Sequence, residues 1–338
     1  MSAPDYNAPA AFVPGEERVF TLPGFEFEAG GRIDNLKLGY VTHGTLNAAR
    51  DNAILLAPGT ANTRHSADGY IGAGNALDPA RDFIIAIEAI GSGTSSQPAD
   101  GLRGAFPRYN IRDLVRAQHA LVAQLGITQL KAVVGASMGA FQALEWAILY
   151  PQMVARAALL VPAAHAGNIF RSIVESALGV LRLDPLWQDG NYTQQPLEGL
   201  RAAGRIYYPW TVTDAYLEQL APEVLAQDIE GTVERAATWD AWNFIRRYEA
   251  SASHDVALPY GGDLAKALAR VQARTLVLPS STDRLLGVTS AREIARLVKG
   301  AEYVEVPSER GHLGWRAVEG APETRVIVEQ VRRLLDAT

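Results

Sequence analysis

Cysteine is absent from the 338-residue chain. That excludes disulfides, thiolate catalysis and cysteine-ligated metals, and it fits a reducing cytoplasm. Long apolar runs are absent as well. No stretch approaches the ~18 residues a membrane span needs, and the longest, 157–164, is interrupted by Pro162. Positive charge is not in excess: the net charge is −6 and the isoelectric point is near 5.6. Neither nucleic acid nor an anionic membrane surface is therefore an expected partner. There is no HExxH and no pair of histidines at ligand spacing, so no metal site is expected. The first residues, Met1 to Tyr6, have neither a basic nor an apolar region of the kind a secretory signal carries. The expectation is a soluble, cytoplasmic protein.

What is present reads as an enzyme core with an insertion. The length exceeds one average domain without requiring two cores. After a Pro-, Ala- and Gly-rich arm of about 15 residues, Arg18–Leu22 and Leu36–Thr42 alternate apolar and polar residues, as strands open to solvent on one face do. Ala53–Ala57 and Phe83–Ile87 are continuously apolar, which marks strands of a parallel sheet covered on both faces. Gly72-Ala73-Gly74 lies between them and reads as a turn rather than a phosphate loop, because it does not join a strand directly to a helix. Asn110 to Leu125 predicts a helix capped by Asn110, with Asp113 in its first turn and Gly126 at its end.

Lys131–Gly135 reads as a strand, about 140–150 as a helix and Val154–Val161 as the next strand. From His165 to about Gly262 the strand pattern stops. Helical stretches broken by Pro185, Pro196, Pro209 and Pro222 carry four of the six tryptophans, as in a cap over a pocket. Strand and helix then alternate again: Thr275–Pro279, Thr289–Val298, Glu302–Val306 and Thr324–Leu335. The chain divides as core 1–164 and 263–338, and cap 165–262.

Gly135-Ala136-Ser137-Met138-Gly139 matches the nucleophile-elbow pattern G-x-S-x-G in the strand–turn–helix setting that the pattern requires. Its small residues let strand and helix approach, so that the serine hydroxyl projects into a cleft near the helix N-terminus. A serine needs a base, and the base needs an orienting carboxylate. In enzymes with this elbow the chain order is Ser, Asp or Glu, then His. His43, His65 and His119 precede the serine. His165 and His254 border the insertion and read as ordinary loop histidines. His312, in a glycine-rich loop after the last strand, is the candidate base. Asp283, four residues past Thr275–Pro279, is the candidate carboxylate; beside Arg284 it could instead cap a helix or sit in a salt bridge. The oxyanion hole is expected from the N–H of Met138 and that of Gly59 or Thr60, in the loop after Ala53–Ala57.

Asn110–Gln118, Leu125-Gly126-Ile127, Gly135 through Trp146-Ala147, Tyr150-Pro151, Ile71–Gly74 with Ala76-Leu77-Asp78, and Tyr260–Leu264 closely resemble the homoserine O-acetyltransferase superfamily. The resemblance spans roughly residues 15–335. It implies an α/β-hydrolase fold with a helical cap, ping-pong acyl transfer through Ser137, and no cofactor beyond an acyl donor. Dimers are frequent in the superfamily, so it allows a homodimer.

The family's amino-acid clamp is not matched. Leu313 stands where the acetyltransferases carry Asp after the histidine. Gly204 and Thr211 fall where they carry an arginine and, seven residues on, a tyrosine. Arg205 is adjacent, but a one-residue step on a helix turns a side chain by about 100°. Arg205, Tyr208, Trp210 and Leu313 are the candidate substrate contacts. An esterase of short acyl esters is the preferred expectation. The alternatives are an acyl-CoA-dependent O-acyltransferase using acetyl-CoA, and a ligand-binding protein on an inactive scaffold. The arginines 171, 182, 201, 205, 246 and 247 either line the mouth of a CoA site or form a solvated face.

Overall fold

The computed structural model describes residues 15–337; the N-terminal arm read from the sequence lies outside them. An eight-stranded sheet forms the centre, in the order β1-β2-β4-β3-β5-β6-β7-β8. Strands β1 (Glu16–Glu26) and β2 (Arg32–His43) make an antiparallel hairpin, and β2 also runs antiparallel to β4 (Phe83–Ile87). The others, β3 (Ala53–Ala57), β5 (Ala132–Ala136), β6 (Arg156–Leu160), β7 (Arg274–Leu278) and β8 (Glu302–Tyr303), continue the sheet in parallel.

Alternation along the apolar strands explains the layering. Leu55 and Val133 enter the core on one face, while Ile54, Leu56 and Val134 enter the core on the other. Helices α1 (Ile111–Gln124) and α2 (Met138–Leu149) cover the first face. The α1 start has the capping box that its sequence predicts. Asn110 Oδ1 accepts from the Asp113 N–H at 2.9 Å, and Asp113 Oδ2 accepts from the Asn110 N–H at 3.2 Å.

Between β6 and β7 the chain forms α3 (Asn168–Arg182), α4 (Leu197–Thr211), α5 (Asp214–Gln219), α6 (Pro222–Ala237), α7 (Ala241–Ala252) and the short α8 (Leu264–Leu268). Residues of α3, α4, α6 and α7 share an apolar cluster of their own, whereas Ala250, Val256 and Leu268 join the core of the body. Packing thus passes from cap to body within α7. Helices α9 (Thr289–Leu297) and α10 (Pro322–Asp336) complete the body.

Three expectations are corrected. Pro209 does not break a helix; it sits in the last turn of α4, where its missing N–H forfeits the one i→i−4 bond to the Arg205 carbonyl and the helix runs on to Thr211. The last strand is shorter than 302–306, because β7 runs into Pro279, which has no N–H to continue the ladder. Backbone bonds from Val306 to Pro279 and from Ser281 to Val306 extend the pairing irregularly.

His254 is the third. It is buried, not an ordinary loop residue, stacked on the Phe141 ring at 4.2 Å with Nε2 3.1 Å from the Ala163 carbonyl. Burial pushes its pKa down to about 3 from 6.5. The imidazole is neutral in the fold but protonates in the unfolded chain. Its contribution is therefore complete above pH 6.5 and is lost as pH falls toward 3. At pH 5 the loss is about 2 kcal/mol. Thermal unfolding should show a steeper Tm decline from pH 7 to 5 in the native protein than in His254→Gln. Equal slopes would contradict this.

Candidate active site

The residues picked from the sequence meet at the C-terminal edge of the parallel strands. Ser137 occupies the turn between β5 and α2 with φ 58° and ψ −123°, a strained backbone for a non-glycine residue. The flanking glycines make this turn possible. A Cβ on Gly135 would lie 2.1 Å from the Gly139 carbonyl oxygen, and one on Gly139 would lie 2.2 Å from that of Ala57.

His312 lies on a short helical turn, Gly311–Trp315, rather than in a flexible loop. Its Nε2 is 2.9 Å from Ser137 Oγ, and its Nδ1 is 2.8 Å from Asp283 Oδ2. Both His312 and Asp283 are buried. The other carboxylate oxygen of Asp283 accepts the N–H groups of Leu285 at 2.9 Å and Leu286 at 3.2 Å. This fixes the carboxylate without a cation; Arg284 turns away to the Pro209 carbonyl. A serine hydroxyl, an imidazole and a fixed carboxylate in this line form a proton-transfer chain suited to nucleophilic attack on a carbonyl.

Met138 is the first residue of α2, so its N–H is among those at the helix start that have no partner within the helix. The Gly59–Asn62 loop faces it and is held from two sides. Below, Gln142 of α2 donates to the Pro58 carbonyl at 2.9 Å. Above, Arg247 of α7 donates to the carbonyls of Gly59 (3.3 Å) and Asn62 (3.1 Å). The same guanidinium reaches Ile90 O and Ser92 Oγ. Thr60 Oγ1 lies 2.9 Å from Ser251 Oγ. Gln142 and Arg247 escaped the sequence reading as supports of this loop. Nothing in the sequence marks a buried arginine apart from an exposed one.

A cavity of about 140 Å³ opens beside Ser137 and His312. Thr60, Gly204, Thr211 and Leu313 reach it, as do the rings of Tyr207, Trp239, Phe244 and Tyr248. Three of the expected substrate contacts do not. Arg205 points to solvent, with half of its side chain exposed and Glu230 3.9 Å away. Tyr208 is buried, with its hydroxyl 3.3 Å from Asp228. Trp210 is 37% exposed and lies under the Arg284 guanidinium. For 205 and 210 the cause is helical rotation away from the inward side of α4 that Gly204, Tyr207, Tyr208 and Thr211 share; Tyr208 is on that side but turns to Asp228 of α6 instead of the cavity. None of the six cap arginines considered for a CoA mouth lines the cavity. Arg247 is fully buried, and Arg201 pairs with Glu198 and Glu234. The cationic groups that line it are Arg235 of α6 and Arg316, after the His312 turn. Among the described residues no cluster of three acidic or histidine side chains suits a metal ion, and no helix is long and apolar enough to cross a membrane.

The family model described as alpha/beta hydrolase fold matches residues 52–314. The chain belongs to that family. It is similar to a homoserine O-acetyltransferase of Trichormus variabilis, 33% identical over 328 residues that cover 89% of this chain and 90% of the relative. It is also 33% identical, over 317 residues covering 89% and 90%, to an ethyl acetate hydrolase of Pseudomonas veronii. Among solved structures, an acetylester hydrolase from Corynebacterium glutamicum superposes with a TM-score of 0.89 at 31% identity, covering 95% of this chain and 96% of that one. The chain is thus an enzyme of the α/β-hydrolase superfamily, in the branch that holds both esterases and homoserine O-acetyltransferases.

Proposed function

We propose that this α/β hydrolase is a serine esterase of short-chain, acetyl-type esters that works through an acyl-enzyme on Ser137. The Ser137 oxygen attacks the ester carbonyl carbon as His312 Nε2 takes its proton, while Asp283 holds the imidazole and stabilises its charged form. The oxyanion is held by the N–H of Met138 and one from the Gly59–Thr60 loop. The carbon–oxygen bond to the alcohol then breaks, and His312 returns the proton to the departing oxygen. Water enters, loses a proton to His312 and attacks the acyl carbon. Ser137 regains its proton as the acid leaves.

One observation favours hydrolysis over transfer to homoserine. Among the described residues the cavity beside Ser137 contains no aspartate or glutamate, and apolar Leu313 adjoins His312. A substrate ammonium would lose its hydration there without gaining a counter-charge. An acyl-enzyme without a held amino-acid acceptor falls to water. The names of the hydrolase relatives agree with this reading. Incubation with a short acetyl ester, and separately with acetyl-CoA and homoserine, tests it by mass spectrometry of the products. Free acetate from the ester with no O-acetylhomoserine is the expected result. Accumulating O-acetylhomoserine would overturn the esterase reading.

A further inference from the structure

The cavity beside Ser137 holds two positive charges, and Asp228, whose charge acts on Arg235, lies beyond salt-bridge range. Arg235 reaches it from α6 and Arg316 from the segment after His312. Neither guanidinium has a carboxylate in salt-bridge range among the described residues. Arg235 donates only to Thr232 Oγ1, at 2.9 Å, in its own helix. Most other arginines around the cap do have an acidic partner: Arg182 and Arg246 with Glu249, Arg201 with Glu198 and Glu234, Arg284 with Asp214. Burial, aided by repulsion from Arg235 and Arg310, pushes the Arg316 pKa down to about 10. It is still charged at neutral pH.

Local packing puts Arg235 there. Gly204 lets α6 come close to α4: a Cβ at 204 would lie 3.0 Å from Ala236 Cβ and 3.3 Å from the Thr232 carbonyl oxygen. That approach brings the Thr232–Ala236 turn of α6 to the cavity wall. The rest of the lining joins the rings of Tyr207, Trp239, Phe244, Tyr248 and Trp315 to the uncharged polar groups of Thr60, Asn62, Thr211 and Thr232. Arg235 is exposed to solvent at the cavity rim and Arg316 is half-buried beside it; the two repel each other, and a bound anion offsets that repulsion.

We infer that the preferred substrate is an ester that carries a carboxylate and no ammonium group, with Arg235 and Arg316 gripping that carboxylate while Ser137 attacks the ester carbonyl. This rests on the esterase reading and narrows its substrate class. The carboxylate can belong to the alcohol half or to the acyl half of the ester. Two matched pairs separate these sources: 4-acetoxybutanoate against 4-acetoxybutanamide, and monomethyl succinate against methyl succinamate.

In at least one pair the anionic ester should have a kcat/KM at least about tenfold above its neutral partner, as charge-assisted hydrogen bonds to a carboxylate supply. The difference should lie mainly in KM. Arg316→Gln and Arg235→Gln should each lower that preference several-fold, with labelling of Ser137 by a fluorophosphonate showing that each variant keeps a folded site. Hydrolysis of the esters without a charge preference would overturn this inference alone. So would a preference that both variants retain. Failure of the native protein to hydrolyse any of the four would overturn the esterase reading as well.

Discussion

Ser137→Ala should lower kcat for a short acetyl ester by about 10⁶-fold, the scale seen when a serine hydrolase loses its nucleophile. Alanine keeps the Cβ and accepts the same strained backbone at φ 58°, so the elbow stays intact and only the hydroxyl is lost. His312 loses its 2.9 Å partner but keeps Asp283. The variant should therefore unfold at nearly the native temperature while its rate falls to the level that binding and the oxyanion donors give without a nucleophile. Steady-state kinetics and thermal unfolding on the same preparation check both parts. A loss smaller than about a hundredfold would remove Ser137 from the chemistry.

Asp283→Asn should cost about 10⁴-fold in kcat, and the hydrogen bonds of the carboxylate say why. One oxygen accepts two backbone N–H groups, from Leu285 and Leu286, and the other accepts from His312 Nδ1. An asparagine can satisfy the two N–H groups only with its carbonyl oxygen. Its amide nitrogen then faces Nδ1 and donates to it, so the ring proton moves to Nε2. That nitrogen is the one beside Ser137 Oγ, and with a proton on it the histidine cannot act as base. The chain should still fold, since the backbone contacts persist. A loss in kcat below tenfold, measured with the same ester, would mean that Asp283 does not set the tautomer.

These effects rest on features that are legible in the sequence, and the reason is local. The elbow is five consecutive residues whose spacing encodes a steric requirement, and the distances of 2.1 and 2.2 Å at Gly135 and Gly139 are that requirement in numbers. The capping box at Asn110 spans four residues. The buried strands declare themselves by continuous apolar runs. Chain order was enough to nominate His312 and Asp283, although they lie 175 and 146 positions from Ser137.

The cap was harder to read because its contacts depend on helix phase. The aromatic residues of α4 were visible as a group, yet a shift of one residue decides whether Tyr207 or Tyr208 faces the cavity. The candidates at 205 and 210 fall on other faces for that reason, and Tyr208, on the inward side with 204 and 211, turns to Asp228 rather than to the cavity. Arg235, Arg316 and Arg247 belong to no motif. A guanidinium that holds backbone carbonyls from inside the fold, one that lines a cavity, and one that pairs with glutamate at the surface are written with the same letter. Only packing tells them apart.

The most direct test of the account is to find where the acyl group rests during turnover. Native protein and Ser137→Ala, acid-quenched while an acetyl ester is being consumed, would be digested and mapped by mass spectrometry. One acetyl group is expected on the peptide containing Ser137 in the native enzyme and none in the variant. Acetate produced by both proteins at comparable rates, or an acetyl group carried by a different residue, would contradict it.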